Sequence, residues 1–285
     1  MARFWKSENR KSRSWRLTAA LLLTGLLAAY TAGCGPESAK EGGADGEPAK
    51  QQTELLVSAA ASLTDALNEL KNVYERSHPA VKLTFNFGAS GALQQQIEQG
   101  APADLFLSAA VKNMKTLLDK QLIDENEQQA ILRNELVVVV PNDDKGEWRA
   151  AADLAASKVK RIAIGIPESV PAGSYAKEAL TAAKLWEVLE PKLVQAKDVR
   201  QVLSYVETGN ADAGFVYKTD AMSSQKVKVA FTVDPSTYTP ALYPAGVVKT
   251  TRHPELSREL FRFLQTKEAA DIFSKYGFSP AAPGT

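Results

Sequence analysis

The 285-residue chain has one cysteine, Cys34, and two histidines, His78 and His253. One cysteine excludes a disulfide framework and any cysteine-based metal centre. Two histidines exclude a histidine-rich metal cluster. Charge of neither sign dominates, since 34 Lys and Arg stand against 33 Asp and Glu. Such a balance leaves no large nucleic-acid footprint. The apolar run from Leu17 to Tyr30 is shorter than the ~20 residues that a membrane-spanning helix needs. With 45 % hydrophobic and 24 % charged residues, the composition is that of a globular protein, which excludes disorder throughout and a fibrous chain.

What is present begins with an address. Residues 1–33 hold six basic residues and one acid, Glu8, and the apolar run follows the last basic residue, Arg16. A basic segment, a short apolar segment and then small residues form a secretory signal. Its end, Thr31-Ala32-Gly33-Cys34, resembles a bacterial lipoprotein signal, with Thr31 where that signal usually has Leu. The resemblance implies that Cys34 becomes the lipid-modified N-terminus and anchors the protein to the cell membrane. Ordinary secretion with an unmodified thiol is the other reading. Residues 35–52 carry no large apolar side chain and read as a flexible tether. Without residues 1–33 the net charge is −4, so any bound anion is held by local geometry and not by bulk positive charge.

From Thr53 onward strands and helices alternate. Glu54–Ala59 reads as a strand and Ser62–Ser77 as an amphipathic helix, with Leu63, Ala66, Leu67, Leu70, Val73 and Tyr74 on one face. Strands at Val81–Phe87 and Asp104–Ser108 and helices after Gly88 and over Val111–Lys120 follow. Leu136–Val140 is a continuous apolar run, the pattern of a doubly buried strand in a parallel sheet. Arg161–Ile166, Ala213–Tyr217, Val227–Val233 and Tyr243–Lys249 are further strands. Ser174–Trp186, Asp198–Thr208, Pro254–Thr266 and Glu268–Tyr276 are helices. The alternation predicts an α/β protein with mostly parallel sheets. Ligands in such sheets sit beyond the carboxyl ends of strands, at helix N-termini.

The strand-to-helix turns therefore carry the candidates. Ser62 has the position of an N-cap, and Asp65 three residues on completes a capping-box pattern. A cap hydroxyl with its free N–H groups also suits an anion. Gly88-Ala89-Ser90-Gly91 lets a ligand approach the backbone closely, and it lacks the trailing Lys-Ser/Thr of a P-loop. Val170-Pro171-Ala172-Gly173-Ser174 opens a helix with small residues and free N–H groups. Asp198-Val199-Arg200 opens another, with Asp198 as the cap and Arg200 as a solvated side chain or an anion-steering one. Tyr217 ends a strand, where its ring packs or its hydroxyl points outward. A serine nucleophile at Ser62 or Ser90 lacks a recognisable base, since both histidines sit in His-Pro pairs.

As a set these segments resemble the molybdate-binding proteins of bacterial ABC transporters. The match runs in order through Ala59-Ala60-Ala61-Ser62-Leu63, Gly100-Ala101-Pro102-Ala103-Asp104-Leu105-Phe106, Val170 to Leu180, Gly214-Phe215-Val216-Tyr217 and Ile272 to Phe278. The resemblance implies a two-lobed periplasmic-binding-protein fold of type II. It also implies an oxyanion held by the hydroxyls and N–H groups of Ser62 and Ser90, the N–H groups of Ala172 and Val199, and the hydroxyl of Tyr217. No cofactor and no directly ligated metal is implied, because molybdenum or tungsten is bound as the oxyanion. The implied partners are a membrane ABC permease and, through the lipid anchor, the membrane. The protein is expected to be monomeric, extracytoplasmic and not an enzyme. Lobe one is expected at 53–133 with 240–285, and lobe two at 134–239. Molybdate is a fully ionised dianion that only accepts hydrogen bonds, and the five positions supply donors only. A sulfate- or phosphate-type binder and a secreted serine hydrolase are the competing readings.

Overall fold

The computed structural model describes residues 52–281. The signal segment 1–33, Cys34 and the tether as far as residue 51 lie outside the described residues, as do residues 282–285.

The chain opens with β1 (Thr53–Ala60), a single 3-10 turn (Ala61–Leu63), α1 (Thr64–Ser77), β2 (Val81–Gly88), α2 (Ser90–Glu98), β3 (Leu105–Leu107), α3 (Val111–Asp119) and β4 (Ile123–Asn134). It continues with β5 (Leu136–Pro141), β6 (Ile162–Gly165), α4 (Pro171–Ala182), α5 (Trp186–Leu189), β7 (Leu193–Ala196), α6 (Val199–Glu207), β8 (Ala213–Tyr217), α7 (Lys218–Met222) and β9 (Val227–Thr232). It closes with β10 (Ala241–Val248), α8 (Pro254–Phe263), α9 (Lys267–Lys275) and the short β11 (Ser279–Pro280). A six-stranded sheet has the order β11-β4-β10-β3-β1-β2, and a five-stranded sheet the order β7-β6-β8-β5-β9. Helices flank both, so the molecule is an α/β protein of two lobes. The chain leaves the first sheet after Asn134 and returns to it at Ala241.

The sheets are mixed, with most strands of each running in one direction. β1, β2 and β3 run parallel, as do β6, β7 and β8. The strands that carry the chain across are the exceptions, for a topological reason. β4 leaves the first sheet and β10 re-enters it, so they pair antiparallel, with Ala241 opposite Asn134. β5 enters the second sheet and β9 leaves it, and they too oppose each other. The Leu136–Val140 run is fully buried, but both of its neighbours, β8 and β9, are antiparallel. An apolar run reports burial on two faces and does not report strand direction. β4 escapes sequence reading because Asp124 to Gln129 give it no apolar alternation. α4 begins at Pro171, three residues earlier than periodicity suggests, and Trp186 belongs to the separate α5.

Buried apolar residues form one connected cluster through both sheets, from Leu55 and Leu67 to Val138 and Phe215. A smaller cluster, with Leu93, Phe106, Met114 and Leu117, lies beneath α2 and α3. Buried Asp104, within the Ala-Pro-Ala-Asp segment, accepts the Leu56 N–H at 2.7 Å and the Thr251 hydroxyl, tying β1 to the loop after β10.

One close approach positions the second lobe's ligand-facing turn. A Cβ on Gly173 would lie 2.0 Å from the Gly165 carbonyl oxygen, so the first turn of α4 rests directly on the end of β6. Neither backbone can yield without moving the turn. Gly173→Ala is expected to lower stability by about 1–3 kcal/mol, the usual cost of overpacking. It should appear as a lower urea midpoint with unchanged slope. A parental midpoint would show that the turn does not need this contact.

Candidate functional site

The carboxyl ends of β1, β2 and β8 meet the starts of α4 and α6 around one small cavity between the lobes. Ser62 and Ser90 line it from one side, and Ala172, Val199 and Tyr217 from the other. All five are buried, none more than 4 % exposed. The cavity is small, about 10 Å³, and no charged residue lines it. Helix starts face it from both lobes. The N-caps of α2 and α4, Ala89 and Val170, make no side-chain cap, so the Ser90 and Ala172 N–H groups are left for another acceptor, while the Gly91 N–H is taken by the Ser169 carbonyl. Asp198 does cap α6, accepting the Gln201 N–H at 2.8 Å, which leaves Val199 at the first helical position.

Hydrogen-bond polarity fixes what the hydroxyls can do. Ser90 Oγ accepts the N–H of Ala109 at 2.9 Å, so its own proton is free to be donated. Ser62 Oγ lies 2.9 Å from Tyr243 Oη. The Glu135 N–H donates to Asn134 Oδ1, which fixes the amide, and Asn134 Nδ2 then donates to Tyr243 Oη at 3.3 Å. Tyr243 is thereby free to donate to Ser62, and Ser62 to donate onward. Tyr217 Oη is buried and has no hydrogen-bond partner. Burial pushes its hydroxyl well above the usual phenol range, so it keeps its proton. Three hydroxyl donors and the helix N–H groups therefore line a cavity without a carboxylate. The arrangement suits a fully ionised anion.

Sequence and structure differ at several of these positions. Ser62 does not cap α1. It lies inside the 3-10 turn, and Leu63 occupies the N-cap without a side-chain bond. Asp65 forms no capping box but pairs across the cleft with Arg200 at 2.6 Å. Arg200 is neither solvated nor in the cavity. The Gly91 N–H donates to the Ser169 carbonyl across the cleft at 2.9 Å, and a Cβ there would stand 2.7 Å from that oxygen. Tyr243 and Asn134 have no sequence signal as site residues. Tyr243 is 181 residues from Ser62, and Asn134 ends the strand that pattern reading misses.

Nothing here forms a nucleophile with its base. The partners of Ser62 and Ser90 are Tyr243 and the Ala109 N–H. His78 stacks on Tyr74 and faces Glu259, and His253 precedes α8. Among the described residues no group of three or more His, Cys, Asp or Glu could hold a metal ion.

Asp220 supports Tyr217 from behind. It is fully buried and accepts the Tyr217 N–H at 3.2 Å. Arg200 Nε lies 2.8 Å from Asp220 Oδ1, a charge contact without the alignment of a hydrogen bond. Burial raises the Asp220 carboxyl to about 6, against the pull of Arg200 and the Tyr217 N–H and with the push of Asp65 and Asp198. A raised acid takes up its proton in the folded state first, so its protonation favours folding as pH falls from about 6 towards 4. Asp220→Asn removes that dependence. The wild-type thermal midpoint minus that of Asp220→Asn is expected to be more positive at pH 4.5 than at pH 7. A difference that stays flat would place the Asp220 titration elsewhere.

The chain is similar over most of its length to known proteins. The family model for bacterial extracellular solute-binding proteins matches residues 55–279. YvgL of Bacillus subtilis (strain 168), provisionally named an ABC transporter substrate-binding lipoprotein, is 46 % identical over 248 residues, covering 87 % of this chain and 92 % of that protein. The molybdate-binding protein ModA of Escherichia coli (strain K12) is 38 % identical over 243 residues, 82 % of this chain and 92 % of that one. The periplasmic molybdate-binding protein of Azotobacter vinelandii superimposes with a TM-score of 0.72 at 23 % identity, over 80 % of this chain and 99 % of that structure, and so shares the fold. The two mixed sheets, the cleft between them and the match over nearly all described residues make this chain a member of the bacterial extracellular solute-binding protein family.

Proposed function

We propose that this protein captures molybdate, and tungstate with it, between its lobes and delivers it to a membrane ABC permease. The lobes in this reading are 53–133 with 240–285, and 134–239. The protein works as a monomer outside the cytoplasm, anchored through lipid on Cys34, and catalyses no reaction. The anion is held by Ser62, Ser90, Ala172, Val199 and Tyr217.

The observation that carries the reading is the Tyr217 hydroxyl. It is buried, protonated and without a protein partner, and it lines a cavity that contains no carboxylate. A buried unpaired donor is costly and calls for an acceptor. Phosphate carries a proton near neutral pH, and a site for it gains from an acceptor such as Asp. This cavity has none among its lining side chains. Hydrogen bonds to charged groups contribute ~1.5–3 kcal/mol each, and several together reach the ~12 kcal/mol of a nanomolar complex after ordering costs. Tungstate is nearly the same size as molybdate, and a cavity walled largely by backbone and small side chains treats the two alike. Sulfate is smaller and makes fewer of these contacts at once.

Calorimetric titration of the anion-free protein with molybdate, tungstate, sulfate and phosphate tests the reading. Tight one-to-one binding of the first two, with the others silent, is the expected result. Strongest binding of sulfate or phosphate would move the function to that anion, and silence from all four would end the oxyanion reading.

Tyr217→Phe gives a sharper test of the site. Molybdate affinity is expected to fall about 10- to 100-fold, the value of one charged hydrogen bond. The anion-free variant should be as stable as the parent or more so, because it loses an unpaired buried hydroxyl. Unchanged affinity would remove Tyr217 from the site.

A further inference from the structure

Arg200 follows Val199 on α6, yet its side chain turns away from the cavity. It makes three contacts. Nη1 donates to Ser223 Oγ at 2.9 Å, and Nε lies 2.8 Å from Asp220 Oδ1, both on its own lobe. Nη2 donates to Asp65 Oδ2 at 2.6 Å, on the other lobe. Ser223 in turn donates to the Asp220 carbonyl at 2.8 Å, and Asp220 accepts the Tyr217 N–H. Two contacts therefore hold the guanidinium ready on lobe two, and the third crosses the cleft.

We propose that Arg200 is a positioning residue that latches the lobes shut over the bound anion by clamping Asp65. The proposal rests on the oxyanion reading of the cavity, though neither Arg200 nor Asp65 lines that cavity. Several features fit a latch. The guanidinium is a rigid fork and holds two carboxylates at once, which an ammonium does not do with the same geometry. Asp65 lies in the first turn of α1, where the helix N-terminus favours its charge, so it remains at ease in water when the lobes part. The side chains of Asp65 and Arg200 are 41 % and 26 % exposed, so the contact is partly shielded from solvent. Through α6 and Asp220 the clamp is mechanically joined to Val199 and Tyr217. Lobe closure and donor placement in lobe two thereby share one side chain. Gly91, Lys112 and Tyr175 also reach across the cleft, to Ser169, Ser174 and the Ala109 carbonyl, but each of those contacts includes at least one uncharged partner.

A latch made after the anion enters acts on escape. It should raise the dissociation rate when broken and leave association nearly unchanged. The test is stopped-flow binding by the whole protein, using whichever of molybdate, tungstate, sulfate and phosphate the parent binds. Asp65→Asn is expected to speed dissociation about fivefold, the scale of a partly shielded charged pair, with association within about twofold. Arg200→Lys, which keeps the charge and loses the fork, should do the same. The double variant should be no faster than the stronger single, because both remove one interaction. Asp65→Asn should leave the anion-free thermal midpoint unchanged, which a purely structural role would not. Unchanged dissociation in both single variants, or effects that simply multiply in the double, would overturn the latch while leaving the oxyanion site standing. Failure of the parent to bind any of the four anions would overturn both.

Discussion

The direction of each hydrogen bond around the cavity is the constraint on which the rest depends. A dianion without a proton can only accept. Every group that faces it must donate, and a serine hydroxyl is set to donate when its lone pairs are occupied from behind. The structure supplies that second layer. The Ala109 N–H occupies Ser90, and Tyr243, itself set by Asn134 and Glu135, occupies Ser62. Reversing the Ser62–Tyr243 bond would spend the Ser62 proton and set a lone pair against the anion. The back layer therefore decides the sign of the site as firmly as the residues that touch the ligand.

That layer also explains the fold's division of labour. The carboxyl ends of parallel strands deliver helix starts, and helix starts deliver N–H groups. On the proposed oxyanion reading, two lobes let donors surround a tetrahedral anion, since one sheet edge faces only one side. The crossing between the sheets is part of the same network. Asn134 ends β4 at that crossing and holds both Thr219 and Tyr243, so it is wired to Ser62. The antiparallel strands β4, β10, β5 and β9 are the consequence of a chain that crosses twice.

Much of this was legible in the sequence, for identifiable reasons. Helices α1, α3 and α6 announce themselves by periodicity, and the apolar run at Leu136 by burial. The turns holding Ser62, Ser90 and Ala172 stand out because small residues follow strands there, Val199 follows a cap and Tyr217 ends a strand; the resemblance singles out the five positions, and the structure brings all five to one cavity. What the sequence hides is long-range pairing. β4 is polar along most of its length and is a strand only because β10 lies beside it. Ser62 looks like a cap because local spacing cannot show Tyr243, 181 residues away. Arg200 looks solvated because its partners Asp65 and Asp220 lie on two other helices. Gly91 reads only as room for a close approach to the backbone because nothing local shows Ser169 on the far lobe.

The placement of Arg200 bears on selectivity as well as closure. A guanidinium inside the cavity would attract any anion, since its charge is not particular about protonation or size. Here the cavity is lined by neutral donors, and the nearest arginine on α6 is committed to two carboxylates. On the proposed oxyanion reading, the charge would be met by hydroxyls and helix N-termini whose positions are fixed by packing, as where α4 rests on Gly165. Such donors reward an anion only when its oxygens reach them all together. Discrimination then follows from geometry and proton count, and positive charge is kept for holding the lobes together.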